Sequence, residues 1–218
     1  MSERAEQQLA TAKKKLLATD HAALPPEIRE SMIAEPMVGI PIASTSKGLK
    51  PKLEELPWET APRTLFPKLG VKSWRDGGRL QLCPAGWPVS PHLDALLNNP
   101  TEAQRATIKV WANTSQQLHL YLFPYLDFSG VTEARFLCSR GEASLSSICK
   151  RGSSAELFAA ARPKMRALVE KLAPSLPMTS AIFDVGLTPG GAIRIVDVNP
   201  GLTPQEVKSL MSAPNRAA

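Results

Sequence analysis

The chain has 218 residues, enough for one substantial domain or one domain of two lobes, and its 43% hydrophobic and 21% charged residues are ordinary for a soluble globular protein. The net charge of +6 favours an anionic ligand or partner, such as a nucleotide, RNA or an acidic protein surface, or else reflects a merely basic surface. Three widely separated cysteines support neither a zinc motif nor a disulfide scaffold, and no apolar run reaches the roughly 20 residues of a membrane span.

The N-terminal half is predicted to hold short elements separated by prolines. Residues 1–22 form a basic helix that ends at Pro25, and we expect it to be a solvated docking helix rather than one that touches RNA. Glu3 and Glu6 stand where a signal sequence would have an apolar core, so a cytoplasmic protein is expected. Residues 35–62 are predicted to be an extended connector with one short strand at 37–42. Strands or helical pieces follow at 64–69, 79–82, 91–97, 101–111 and 118–123.

The C-terminal half is predicted to contain two β-hairpins around one long helix. The first hairpin pairs 132–139 with 143–150, and the helix over 154–171 repeats apolar residues at helical spacing. The second hairpin pairs a strand around 183–185 with one at 195–200. A last helix over 204–211 begins at Thr203, and the tail from Ser212 is expected to fray.

Three oxygen-bearing side chains stand out on the second hairpin. Asp197 and Asn199 are two residues apart, so on a strand they point to the same face. Asp184 lies on the preceding strand, and antiparallel pairing would bring it to the other two. Carboxylate and amide oxygens held in this way suit Mg²⁺ and, through it, a nucleotide phosphate. The alternative is a structural role in the turn and the helix cap.

Other charged residues are placed where they could face an anion. Glu133 and Arg135 share one face of a strand, and the pair is either structural or part of a nucleotide site. Lys150 ends the return strand and could reach the same cavity. Lys68 ends an apolar strand, where a buried ammonium would be costly without an anion.

Three blocks of sequence occur in an order that matches a known family. Phe66-Pro67-Lys68-Leu69 is followed by Ser73-Trp74-Arg75-Asp76, then by Glu133-Ala134-Arg135-Phe136, and finally by Phe183-Asp184-Val185 and Val196-Asp197-Val198-Asn199-Pro200. They resemble, in turn, the "FPKL … S-P-(K/R)-D" segment, the "EFR" strand and the "FD(L/V) … IDFNP" hairpin of the cell division cycle protein 123 family. The blocks span residues 66–200, well over half of the chain.

The resemblance implies an ATP-grasp fold of the α+β class, in which two antiparallel-sheet lobes with flanking helices clasp a nucleotide, with ATP and Mg²⁺ as cofactors. Carried over residue by residue, it implies that Lys68 and Arg135 contact phosphate, that Glu133 orients Arg135 and that Arg75 and Asp76 lie in a phosphate-side loop. It also implies that Asp184 and Asn199 each hold one Mg²⁺ and that Asp197 bridges two.

The sequence departs from the family pattern in two places. Leu122-Phe123-Pro124-Tyr125 replaces a segment with a cation near the adenine, so the base would rest on Phe123 or Tyr125 or be bound more weakly. Cys149 stands near a position where the family has glutamine.

Two functions follow as hypotheses. One is an ATP-grasp ligase, in which ATP phosphorylates a substrate carboxylate and an amine then displaces the phosphate. The other is a nucleotide-dependent assembly factor or interaction scaffold without ligase activity, as the resemblance implies. In that case the N-terminal region and the Trp- and Pro-rich loops would bind a protein partner. A nucleic-acid partner has no motif to support it.

The predicted division of the chain places the N-terminal helix and connector at 1–62 and an ATP-grasp-like domain at 63–211. Within that domain the smaller lobe covers about 63–120 and the C-terminal lobe about 121–211, and a disordered tail covers 212–218.

Overall fold

The computed structural model describes residues 3–45, 48–70, 72–73, 75–76, 79–100, 108, 111 and 117–212. Side chains are described in these ranges except at 43–51, 53, 72–80 and 211. The helices are α1 (Glu3–Ala18), α2 (Pro26–Glu30), α3 (Val89–Asn98), α4 (Ala155–Leu172) and α5 (Pro204–Ser212). The strands are β1 (Val38–Thr45), β2 (Gly48–Pro51), β3 (Leu65–Leu69), β4 (Lys72–Ser73), β5 (Arg75–Asp76), β6 (Arg79–Leu80), β7 (Leu118–Pro124), β8 (Thr132–Ser139), β9 (Glu142–Lys150), β10 (Ser180–Leu187) and β11 (Ile193–Pro200).

The chain folds into two compact units, each with its own antiparallel sheet. Met1–Ala34 and Leu126–Val207 make the four-stranded unit, and Glu35–Tyr125 with Lys208–Ala218 make the five-stranded unit. The predicted division differs from these units, because it groups the N-terminal helix with the connector at 1–62. In the structure α1 lies in the same unit as β8–β11, and β1 and β2 lie in the five-stranded sheet.

The four-stranded unit has the strand order β11-β10-β8-β9, and both predicted hairpins are confirmed within it. Its core lies between the sheet and α4, and Phe136 and Phe183, opposite each other on β8 and β10, are fully buried there. Strand β8 alternates buried and accessible residues, as a strand with one covered face must. The other face of the sheet is therefore open to a ligand.

The two edges of this sheet differ in their backbone pairing. Along β11, the segment that follows α2 adds a short parallel bridge, in which Ile33 N donates to Ile195 O at 2.7 Å and Ile195 N donates to Ser31 O at 2.8 Å. Along β9, the pairing with β8 shifts register twice, between Glu133 and Ala134 and again between Arg135 and Phe136. These shifts are bulges that bend the strand.

The five-stranded unit has the strand order β2-β1-β7-β3-β4, with β5 and β6 forming a separate two-stranded pair. The short strand predicted at 37–42 is confirmed as β1, but the predicted connector over 35–62 differs from the structure, because β1 and β2 together build one side of this sheet. The reason is tertiary: Ile40 and Ile42 of β1 are buried where they pair with β7, although β1 contains Pro41.

Helix α1 is also less exposed than expected for a solvated docking helix. It buries Ala12, Lys15, Leu16 and Ala18 in the four-stranded unit. The helix predicted over 101–111 lies outside the described residues apart from positions 108 and 111, and residues 213–218 of the predicted tail also lie outside them. Within the described part of the chain, no helix is both long enough and apolar enough to cross a membrane.

Candidate functional site

The open face of the four-stranded sheet gathers most of the predicted ligand-binding residues. We call it the charged face and define it by Glu133, Arg135, Cys149, Asp184, Asp197 and Asn199. The register places Arg135 of β8 opposite Asp184 of β10, and Asp184 opposite Asp197 of β11. Directly opposed residues of an antiparallel pair lie on the same face, so one row of side chains crosses three strands.

A two-pronged ion pair forms the centre of this row. Arg135 donates from Nε to Asp184 Oδ1 and from Nη2 to Asp184 Oδ2, both at 2.8 Å. Asp184 is 4% exposed, and this guanidinium is the cation that faces its buried carboxylate. The hydrogen bonds to Asp184 raise the pKa of Arg135 above its already high ordinary value, despite the opposing effect of burial. The structure thus gives Arg135 a partner that the sequence interpretation had not assigned to it.

Asn199 and Asp197 complete the row on β11. Asn199 Nδ2 lies 3.5 Å from Asp184 Oδ2, at the outer limit of a hydrogen bond, and Asp197 Oδ1 accepts from the backbone N–H of Val198 at 2.9 Å. The structure brings Asn199 next to Asp184, and the metal-binding roles of these residues stay predictions. A carboxylate has about four lone-pair positions, so Asp184 retains acceptor capacity beside Arg135. This set of hard oxygen donors fits Mg²⁺.

Glu133 and Cys149 lie at the other side of Asp184. One ligand atom from each of Glu133, Cys149 and Asp184 lies within 4.8 Å of the other two. Cys149 is exposed and is the extra residue of a β9 bulge, since Glu133 pairs with Lys150 and Ala134 with Ile148. Simple alternation along β9 could not have placed this thiol, because a bulge resets which residues face the ligand side.

Lys150 is held close to the charged face but is already engaged. Its Nζ donates a short hydrogen bond to the backbone carbonyl of Phe128, and its backbone pairs with Glu133. The expectation that Lys150 reaches the nucleotide cavity stays a prediction.

The remaining predicted residues lie in the five-stranded unit. Lys68 of β3 is half-buried, and its Nζ lies 6.0 Å from the ring centre of Phe123. Arg75 and Asp76 form β5, where Arg75 pairs with Leu80 and Asp76 with Arg79, and their side chains are not described. The phosphate contacts implied for these three residues stay predictions. Of the two aromatic residues considered for adenine, Phe123 is buried and Tyr125 is 42% exposed.

The two antiparallel sheets with their flanking helices give the protein an α+β, ATP-grasp-like fold, as the sequence predicted. No family model and no curated protein matches the chain. Among solved structures, Cdc123 from Schizosaccharomyces pombe matches with a TM-score of 0.57 and 15% identity over 86% of this chain and 85% of that one. A C-terminally truncated form of the same protein matches with a TM-score of 0.59 and 14% identity over 94% of each chain. A RimK domain ATP-grasp protein from Sphaerobacter thermophilus aligns with a TM-score of 0.42 and 16% identity, over 97% of this chain and 76% of that one.

The likeness to Cdc123 confirms the expected fold and extends over most of both chains. At this level of identity the likeness describes the fold alone, so any function has to be argued from the residues on the charged face.

Proposed function

We propose that the protein binds a magnesium nucleoside triphosphate, with ATP as the nucleotide, on the charged face of the four-stranded unit. The observation that carries the proposal is the row in which Arg135 and Asn199 each contact Asp184, and Asp197 stands opposite Asp184. Two acidic groups, an amide and an arginine on one open sheet face are the groups that a metal-bound phosphate chain requires.

The roles of these residues follow from their chemistry. Asp184, Asp197 and Asn199 would hold Mg²⁺ through oxygen. Arg135 neutralises Asp184 in the free protein and offers its remaining N–H groups to phosphate. Bound Mg²⁺ would neutralise phosphate charge and orient the terminal phosphoryl group for transfer. Lys68, Arg75, Asp76, Glu133 and Lys150 are further candidates for nucleotide contact.

Calorimetric titration with ATP, in Mg²⁺ and again in excess EDTA, tests the proposal. We expect binding that depends on Mg²⁺ and that Asp197→Asn weakens by more than about tenfold, since even residues behind a metal ligand typically contribute that much. Glu156→Gln, on the exposed start of α4, is the matched control and should bind as the wild type does. Binding that is equal in all three proteins, or wild-type protein that ignores Mg-ATP, would contradict the proposal.

Two candidate functions differ in whether bound ATP is hydrolysed. A ligase would release ADP and phosphate when given a carboxylate and an amine, and Asp197→Asn would abolish that release. An assembly factor would bind ATP without turnover while holding a protein partner. The second candidate rests on the sequence resemblance to the cell division cycle protein 123 family, because a likeness of fold at 14–15% identity does not separate the two functions. Measured ADP release with and without acceptors decides between them.

A further inference from the structure

A buried lysine connects α1 to the loop that follows the charged face. Lys15 is 8% exposed, and its Nζ lies 2.9 Å from Glu206 Oε1, 3.0 Å from Glu206 Oε2 and 2.9 Å from the carbonyl oxygen of Gly201. An ammonium group has three N–H donors, and a buried one is tolerated only where acceptors surround it. All three contacts go to a segment about 190 residues further along the chain.

Glu206, the partner of Lys15, also fixes the start of α5. The backbone N–H of Thr203 donates to Glu206 Oε2 at 2.7 Å, and the N–H of Glu206 donates back to Thr203 Oγ1 at 3.2 Å. This reciprocal pair is a capping box. Burial alone would raise the pKa of Glu206, but hydrogen bonds from Thr203 and Lys15 outweigh it and hold that pKa below its ordinary value. Glu206 is therefore the anion that matches Lys15.

The loop held in this way begins two residues after Asn199. Gly201 accepts from Lys15 on one side and from Ser180 Oγ at 3.4 Å on the other. A Cβ at Gly201 would lie 3.2 Å from that same hydroxyl, so the loop packs closely on the start of β10. The position of Asn199 relative to Asp184 is thus fixed from two sides, by β10 and by α1.

We propose that Lys15 is a positioning residue for the charged face. It holds Gly201, Leu202 and Thr203 in place, so that Asn199 stays beside Asp184 where both can serve one metal ion. The expected effect of Lys15 on Mg²⁺ binding rests on the proposed function, whereas the expected effect of Lys15 on the loop at 201–203 does not. The N-terminal helix is then a working part of the site rather than a separate docking element.

The test compares Lys15→Met with variants that separate positioning from stability. Met keeps the apolar stem of lysine and removes the charge. Arg166→Met, which breaks the exposed Arg166–Glu170 ion pair of α4, is a control for loss of an ion pair elsewhere in the same unit. In the double variant Lys15→Met/Glu206→Gln, the capping box survives, because glutamine also serves at this position. The double variant buries no unpaired charge. The carbonyl oxygen of Gly201 still lacks the hydrogen bond from Lys15.

Two measurements are made on each full-length protein: hydrogen exchange of the backbone at 199–203 and the Mg²⁺-dependent part of ATP affinity. We expect Lys15→Met to exchange faster at Leu202 and Thr203 and to lose about tenfold in Mg²⁺-dependent affinity, as residues supporting metal ligands typically do. The double variant should recover thermal stability without recovering that affinity, and Arg166→Met should match the wild type in both measurements.

The possible failures are distinguishable. Exchange at 199–203 that is unchanged in Lys15→Met would overturn the inference whatever the ligand does. Affinity that returns together with stability in the double variant would also overturn it, because the effect would then be one of stability alone. If wild-type protein does not bind Mg-ATP, the proposed function fails, and faster exchange at 199–203 still supports the positioning of this loop by Lys15.

Discussion

The charged face of the four-stranded sheet and the ring-bearing face of β7 in the five-stranded sheet are held by different kinds of side chain. On the four-stranded sheet, Arg135 holds Asp184 by an ion pair, and Asn199 lies within hydrogen-bond distance of the same carboxylate. On the five-stranded sheet, β7 stacks rings instead: His119 and Tyr121 have ring centres 5.7 Å apart, and Tyr121 and Phe123 6.4 Å apart. Between these two faces, a change of charge should therefore affect the charged face most, and a change of side-chain volume the ring-bearing face of β7.

The aromatic residues also make the two units separately observable. The tryptophans among the described residues, at positions 58, 87 and 111, lie in the five-stranded unit, and the fourth, at position 74, falls in the sequence between them. Tryptophan fluorescence therefore follows that unit, whereas far-ultraviolet circular dichroism follows both. Comparing the two signals during denaturation shows which unit a substitution affects and whether the units unfold together.

The largest expected effect is a loss of volume in the five-stranded sheet. Phe123 is 7% exposed, and its ring centre lies 6.2 Å from that of Phe66. Phe123→Ala should therefore lower the free energy of unfolding of this unit by about 3 kcal/mol. Leu137→Ala, on the open face of the other sheet, should cost less than about 1 kcal/mol because Leu137 is already 42% exposed. Urea denaturation followed by fluorescence and circular dichroism measures both. Equal losses would mean that the two sheets do not differ in this respect.

A change of charge should reverse that order. Arg135→Met leaves the buried carboxylate of Asp184 without its cation and should cost about 2 kcal/mol, a value reduced because the Arg135 side chain is 43% exposed. Lys68→Met in the five-stranded sheet removes a cation near an aromatic ring and should cost at most about 1 kcal/mol. The same urea titrations decide this. A larger loss for Lys68→Met would show that its ammonium has a stronger partner than the ring of Phe123.

The smallest effect is a difference in how the units respond to acid. Burial lowers the pKa of His92 in the five-stranded unit, and its Nε2 finds no hydrogen-bond partner among the described residues. Because the unfolded chain then binds protons more readily, the stability that neutral His92 contributes is complete above about pH 6.5 and is lost as the pH falls below that value. For Glu206, whose folded pKa is also lowered, the contribution is complete above about pH 4.3 and is lost as the pH falls through the folded pKa.

Midpoints of urea unfolding measured from pH 8 to pH 3 check this difference. The fluorescence midpoint should begin to fall below about pH 6.5, and His92→Gln should flatten that part of the curve. Glu206→Gln should flatten only the more acidic part of the dichroism curve. If His92→Gln leaves the slope between pH 7 and pH 5 as it is in the wild type, burial of His92 does not set the acid response of this unit.

The sequence predicted best what depends on neighbouring residues. The two hairpins of the four-stranded sheet follow from short alternating strands joined by local turns, and the same local register puts Asp184, Asp197 and Asn199 on one face. Helix α4 follows from its apolar spacing and from Ser154, whose side chain accepts from Leu157 N at 3.2 Å.

What the sequence did not predict depends on contacts between distant segments. The strand predicted at 37–42 is β1, but its place in the five-stranded sheet was not predicted, because β7, some 80 residues later, supplies its hydrogen bonds, and its other partner β2 was not predicted either. In the run Lys13-Lys14-Lys15, composition does not tell which lysine is buried; the presence of Glu206 beside Lys15 decides it. Likewise Arg135 was assigned to phosphate, because the register that places it opposite Asp184 joins two separate hairpins.

The treatment of the sheet edges has a consequence for how this protein behaves at high concentration. An edge strand with free backbone groups can add a strand from another copy, which is a common first step in aggregation. Along β11 the bridge from Ser31 and Ile33 already uses the backbone of Ile195, and along β9 two bulges distort the line that an incoming strand would have to follow. The segment after α2 thus occupies backbone groups of the β11 edge that could otherwise pair with a strand of another copy of the chain.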